Sequence, residues 1–220
     1  LTPRGHLQAQ AIAKRLARYG VDELYASPLI RAQQTAAPTA VLLNQSVEIL
    51  DWTSEAAAWD DFSVEENGRR CWIFHSSRRV RLREATIRAR GLRWYEDPLF
   101  ADTRAEAGYH RILDASDAFL AAHGYDHDRL NCRYIARTPN DRRVAVFCLQ
   151  GFGLSWLGAL LDIPLPVTWA NMDFGHTGMT VIEFRADDAG LCVPKLLTLS
   201  NDSHLYAEGL PTMYQNRIYF

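Results

Sequence analysis

Leu24-Tyr25-Ala26-Ser27-Pro28-Leu29-Ile30-Arg31-Ala32-Gln33-Gln34-Thr35-Ala36 changes character halfway along its length. Leu24-Tyr25-Ala26 reads as a short apolar strand. Ser27-Pro28 stops it, because proline gives no N–H to a ladder and holds the residue before it extended. A helix follows, with Arg31 near its start and an end at about Leu43; Pro38 marks an irregularity inside it. A strand that turns straight into a helix places free backbone N–H groups at a strand's carboxyl end, where open α/β sheets bind anionic ligands.

The pattern repeats outward from this corner. Upstream, Thr2-Pro3 is a helix start, Thr as N-cap and Pro at the first helical position, and Gly20 closes the run. Leu7, Ile12, Leu16 and Tyr19 share one face of that helix. Downstream, Ala105 to His123 is helical, and the unbroken apolar run Val144 to Cys148 predicts a central strand of a parallel sheet. Gly151-Phe152-Gly153 reads as a turn into an apolar helix from Gly153 to Leu161, a second strand-to-helix corner. Met179 to Phe184 and Leu196 to Leu199 are further strands. The fold class is α/β, a three-layer α/β/α sandwich with a mostly parallel central sheet. One domain spans residues 1–220, with an Arg- and Trp-rich insertion or lid at about 51–98, where the periodicity is poor.

Composition narrows the function classes. Lys and Arg total 24 against 26 Asp and Glu, so the net charge of −2 gives no reason to propose a nucleic-acid or membrane partner. No apolar run approaches the roughly 18 residues of a membrane span. Cys71, Cys132, Cys148 and Cys192 lie far apart without C-x-x-C spacing. That argues against a zinc site or disulfide framework and for a reducing, cytoplasmic setting. No cofactor is expected. The chain begins at Leu1 rather than Met, which leaves an upstream targeting segment open.

Ser27-Pro28-Leu29-Ile30-Arg31-Ala32-Gln33-Gln34-Thr35-Ala36 resembles the S-P-L-x-R-A-x-Q-T-A signature of the histidine phosphatases, the phosphoglycerate mutase-like superfamily. Leu1-Thr2-Pro3-Arg4-Gly5-His6-Leu7-Gln8-Ala9 resembles the L-T-x-x-G-x-x-Q-A segment of that family. Val144 to Leu154 resembles the strand and turn that carry its second catalytic histidine, and Leu149 stands at the histidine position. Trp52-Thr53-Ser54-Glu55 is similar to the segment that supplies a carboxylate. The family's R-H-G nucleophile motif falls before the position of Leu1. The strand leading into that motif falls there too, and a chain without it has unpaired strand edges. A homodimer is one assembly compatible with such edges.

The resemblance implies phosphate monoester hydrolysis or phosphoryl transfer on a small phosphorylated metabolite. It makes Arg31 a phosphate ligand, Glu55 the proton donor, and Gln150 and Gly151 parts of the phosphate corner. Leu149 offers neither charge nor a hydrogen bond, so the second histidine's role is vacant. His176, on the late strand segment, is the candidate to act in its place. Each residue keeps a plainer reading beside the functional one: Arg31 an exposed helix arginine, Glu55 a solvated loop carboxylate, Gln150 a turn residue, His176 a structural histidine. Arg69, Arg70, Arg78, Arg79, Arg81, Arg83, Arg88, Arg90 and Arg93 make either a lid that attracts a polyanion or a solvated surface paired with Glu65, Glu66 and Glu84. Three functions stay open: a phosphatase or mutase; an anion-binding pseudoenzyme; and a lyase, isomerase or hydrolase working without phosphohistidine.

Overall fold

The computed structural model describes residues 1–212. Helix α1 (Pro3–Tyr19) starts as its sequence predicts: Thr2 Oγ1 accepts from the Gly5 N–H at 3.1 Å, and Gly20 caps the other end. Strand β1 (Glu23–Ala26), α2 (Ile30–Leu43) and β2 (Val47–Ile49) follow, with Pro38 inside α2 and Asn44 closing it in the left-handed region at φ 52°. Then come α3 (Glu55–Phe62), the hairpin of β3 (Ser63–Glu66) and β4 (Arg69–Trp72), several single-turn 3-10 helices and α4 (Ala85–Ala89). Next are α5 (Ala105–Ala122), β5 (Tyr125–Asp128), β6 (Arg133–Ala136), β7 (Val144–Phe147), α6 (Gln150–Leu160) and α7 (Leu165–Asn171). Strands β8 (Met179–Glu183), β9 (Leu191–Cys192) and β10 (Lys195–Asn201) precede α8 (Ser203–Ala207).

A parallel sheet in the order β2-β1-β7 organises the molecule, with Leu24 opposite both Val47 and Ala145. Successive strand residues face opposite ways. Leu24, Ala145 and Phe147 pack with Ile12 and Leu16 of α1 and with Ala40 and Leu43 of α2. Tyr25, on the other face, meets Phe119 of α5 edge-on at 5.2 Å between ring centroids. Helices therefore cover both faces, and the protein is an α/β fold with a parallel sheet. Outside that sheet the pairing is antiparallel: β8 with β10, β3 with β4, and β5-β6-β9.

Three expectations need correction. β7 is not central: among the described residues it pairs with β1 on one edge only, and it is half-buried along its length. An unbroken apolar run reports two covered faces, and it carries no information on whether both edges are paired. Helix α6 begins at Gln150 rather than Gly153, so Gly151 and Gly153 lie within the helix. They are glycine because neighbours press on them: a Cβ on Gly151 would meet three atoms of the Trp72 indole inside 3.0 Å, and one on Gly153 would lie 2.7 Å from the Phe174 ring. Leu7 and Tyr19 are exposed, and α1 buries Gln8, Ala9, Ala11, Ile12, Ala13 and Leu16 instead. Small alanines let α2 approach closely, and that contact displaces the larger residues from the buried face.

The stretch from 51 to about 98, where the periodicity is poor, contributes to the core. Phe62, Ile73, Phe74, Leu82, Ile87 and Trp94 are all buried, together with Tyr109 and Ile112 of α5, Phe152 of α6 and Trp169 of α7. Single-turn helices keep no fixed period, so their buried residues come at irregular spacing. Many of the arginines here pair with acids at the surface: Arg70 with Asp60, Arg78 with Asp102, Arg81 with Glu84, and Arg90 and Arg93 with Glu96. No helix among the described residues is long and apolar enough to cross a membrane.

Candidate functional site

The carboxyl ends of β1 and β7 lie side by side, with the Ser27 N–H donating to the Phe147 carbonyl at 2.8 Å. From these two ends the chain enters α2 and α6, so two helix N-termini lie at neighbouring strand ends. Ser27 is wholly buried there, and its hydroxyl has no hydrogen-bond partner among the described residues.

Glu55, the first residue of α3, closes the corner. Arg31 Nη2 donates to its Oε2 at 2.5 Å, and the Gly151 N–H donates to its Oε1 at 2.8 Å. Helix α6 has no side-chain cap of its own, because Leu149 holds the N-cap position without an oxygen. A carboxylate from nearly a hundred residues upstream supplies what Ser, Thr or Asp would ordinarily supply. The Glu55 side chain is 15% exposed and that of Arg31 52%, so the arginine forms the open side of the corner.

Among the sequence-derived candidates, Arg31, Glu55 and Gly151 are thus in direct contact, and Leu149 is adjacent. Gln150 turns the other way, its side-chain amide donating to Asp173 Oδ1. Asp173 also accepts from the Phe174 N–H at 2.8 Å, which fixes the loop after α7 against the start of α6. His176 lies three residues further on, exposed; the structure places its carbonyl against the Thr177 hydroxyl at 2.7 Å. Its imidazole is not joined to Arg31, Glu55 or Gln150 by any hydrogen bond or ion pair among the described residues.

Two more residues border the corner. Trp72, at the end of β4, lies against Gly151, stacked on Phe74 at 5.2 Å and edge-on to Trp59 at 5.0 Å. Asp173 holds Gln150. The sequence assigned neither Trp72 nor Asp173 a place at the site. The one signal for Trp72 was the pair of glycines at 151 and 153, which mark close approach as readily as a turn. Cys148, next to Leu149, is pushed up to about 12 by burial with the Glu55 charge adding, so it is a neutral thiol.

A Gly151→Ala change should displace the Trp72 indole and cost about 1–3 kcal/mol of stability. Urea denaturation of Gly151→Ala, Trp72→Ala and the double variant measures it. Recovery of part of the loss in the double variant is expected; strictly additive losses would rule out the contact as the cause.

The corner can hold an anion, and it holds the protein's own. A guanidinium and a helix-terminal N–H converge on two oxygens of one acid group, which is a geometry that suits phosphate equally well.

Comparison with known proteins gives the following. The family described as histidine phosphatase superfamily (branch 1) matches residues 1–124. No curated protein matches the chain in sequence. Among solved structures, mycobacterial glucosyl-3-phosphoglycerate phosphatase in complex with inorganic phosphate is 18% identical, with a TM-score of 0.58 over 93% of this chain and 88% of that one. Phosphoserine phosphatase from Entamoeba histolytica in complex with 3-phosphoglyceric acid is 20% identical, with a TM-score of 0.56 over 93% and 86%. The α-ribazole phosphatase from Shigella flexneri is 17% identical, with a TM-score of 0.53 over 92% and 84%. At such identities the likeness is one of fold.

Proposed function

We propose, since the chain belongs to the histidine phosphatase superfamily (branch 1), that the corner at Arg31 and Gly151 takes the phosphate group of a small phosphorylated metabolite. The lineage activity is phosphate monoester hydrolysis or phosphoryl transfer. The observation that carries this reading is the convergence of Arg31 Nη2 and the Gly151 N–H on a single carboxylate. The similar folds that carry phosphatase names, one of them holding inorganic phosphate, support it.

In this reading Arg31 binds the phosphate through its planar fork. Gly151 adds the α6 N-terminal N–H and the partial positive charge of the helix end. Glu55 is the acid nearest the leaving oxygen. Gln150, bound to Asp173, shapes the rim. Leu149 is where ordinary phosphatase turnover fails: a missing charge-assisted donor at a phosphoryl transition state costs roughly 3–4 kcal/mol, a factor of about 10²–10³. The chain is then an anion-binding member of its family with little turnover. Neighbouring thiol chemistry does not fill the gap, because Cys148 stays protonated at neutral pH. A general acid–base role for His176 in other chemistry finds no supporting contact.

Two measurements test this. Inorganic phosphate and vanadate should bind, and Arg31→Ala should weaken binding by about ten- to a hundredfold. Phosphate release from a panel of phosphorylated metabolites should stay near the uncatalysed rate. Release at ordinary phosphatase rates would overturn the low-turnover part, and the same panel on a Leu149→His variant shows whether the missing imidazole limits it. No binding of phosphate or vanadate would overturn the site itself.

A further inference from the structure

We infer that Glu55 is a resident competitor for the phosphate corner, and that its charge selects against substrates carrying a second anionic group. The inference rests on the phosphate-binding reading above. Both Glu55 oxygens are committed, one to Arg31 and one to the Gly151 N–H, and these are the two donors that an incoming phosphate needs. Both distances are those of charge-assisted hydrogen bonds already made, so a phosphate that takes the Arg31 Nη2 and Gly151 N–H donors displaces the carboxylate from them.

The carboxylate is anchored at the edge of the corner, and its side chain is 15% exposed. Glu55 begins α3, whose Ala58 and Phe62 are buried in the aromatic core, so its backbone is fixed. Once displaced from Arg31 it stays beside the bound phosphate as a negative charge in a partly enclosed site. Like charges in such a place repel strongly unless a donor comes between them. The favoured ligand is therefore a phosphate monoester with a hydroxyl or amine near the phosphate, able to donate to the freed carboxylate. A phosphorylated carboxylic acid would set three anionic groups against one arginine.

Calorimetric titration of the whole chain with inorganic phosphate, glycerol 3-phosphate and 3-phosphoglycerate tests this on wild type, Glu55→Gln and Arg31→Ala. Wild type is expected to favour glycerol 3-phosphate over 3-phosphoglycerate by about tenfold or more. Glu55→Gln is expected to tighten phosphate binding by about tenfold and to erase most of that preference. If Arg31→Ala abolishes phosphate binding while Glu55→Gln leaves it unchanged or weaker, the competitor role is wrong and the phosphate site stands. If no probe binds to wild type or to Glu55→Gln, the phosphate site and this inference fall together. Should Glu55→Gln lose its fold, the wild-type preference decides alone: equal affinity for the two esters overturns the selection.

Discussion

Truncating Trp94 to alanine is expected to cost about 4 kcal/mol, the largest single loss of any core side chain named here. Trp94 is wholly buried and meets Phe100 at 4.9 Å, Trp169 at 5.2 Å and Tyr109 at 5.7 Å between ring centroids, all near edge-on. It thereby ties the irregular segment after α4 to α5 and α7. Removing it empties a volume that three aromatic rings cannot close. Trp94→Phe is expected to behave differently. Among the described residues its indole Nε1 is buried without a hydrogen-bond partner, a state that costs about 1–3 kcal/mol, and phenylalanine removes that donor along with part of the ring. Trp94→Phe should therefore cost under about 1.5 kcal/mol. Urea denaturation decides: a Trp94→Phe loss of about 3 kcal/mol or more would show that relieving the unpaired donor offsets nothing.

Stability is expected to fall by about 3 kcal/mol as pH rises from 6.5 past 9, through His127. Its side chain is 1% exposed, lies flat on Tyr134 at 4.3 Å, and bonds Asp117 at 2.8 Å and Asp162 at 3.1 Å. Burial, the largest single influence, disfavours its charge. The hydrogen bonds and charges of the two aspartates together outweigh burial and push the imidazole up to about 9. The folded-state value lies above the unfolded one, so the contribution is complete below about 6.5 and is lost as pH climbs through 9. His204 works in the opposite sense. Burial, with Arg15 beside it and Asp202 opposing, draws it down to about 4, so its contribution is complete above about 6.5 and fades as pH falls toward 4. Together the two histidines favour a stability maximum near pH 6.5. Denaturation of wild type and His127→Gln at pH 6.5 and 9 checks this. The gap between them should shrink at the higher pH, and an unchanged gap would show that His127 is not charged in the folded protein.

What the sequence made legible was local. Thr2-Pro3 and Gly20 bounded α1 correctly because caps act within one turn. The Ser27-to-Ala36 motif identified the corner and Arg31 because its residues are contiguous. Glu55 was legible only through resemblance, since its partners Arg31 and Gly151 are distant in the chain. Trp72 on Gly151, Asp173 on Gln150 and the Asp117–His127–Asp162 triplet are tertiary pairings, and no spacing rule encodes them. Leu7 and Tyr19 failed for a related reason: periodicity finds the apolar stripe, but helix packing decides which part of it is covered.

The position of β1 between a near neighbour and a far one sets the order in which this protein assembles. β2 reaches β1 through α2 alone, so the unit from α1 to β2 can form early from short-range contacts. β7 pairs with the same strand from about 120 residues away, and closing that loop costs entropy before any ladder bond repays it. The aromatic core of the intervening segment is what shortens the distance. Docking of β7, and with it the appearance of the corner at Gly151, is therefore expected late in folding, and a Phe147→Ala change should act mainly on the unfolding rate in stopped-flow measurements.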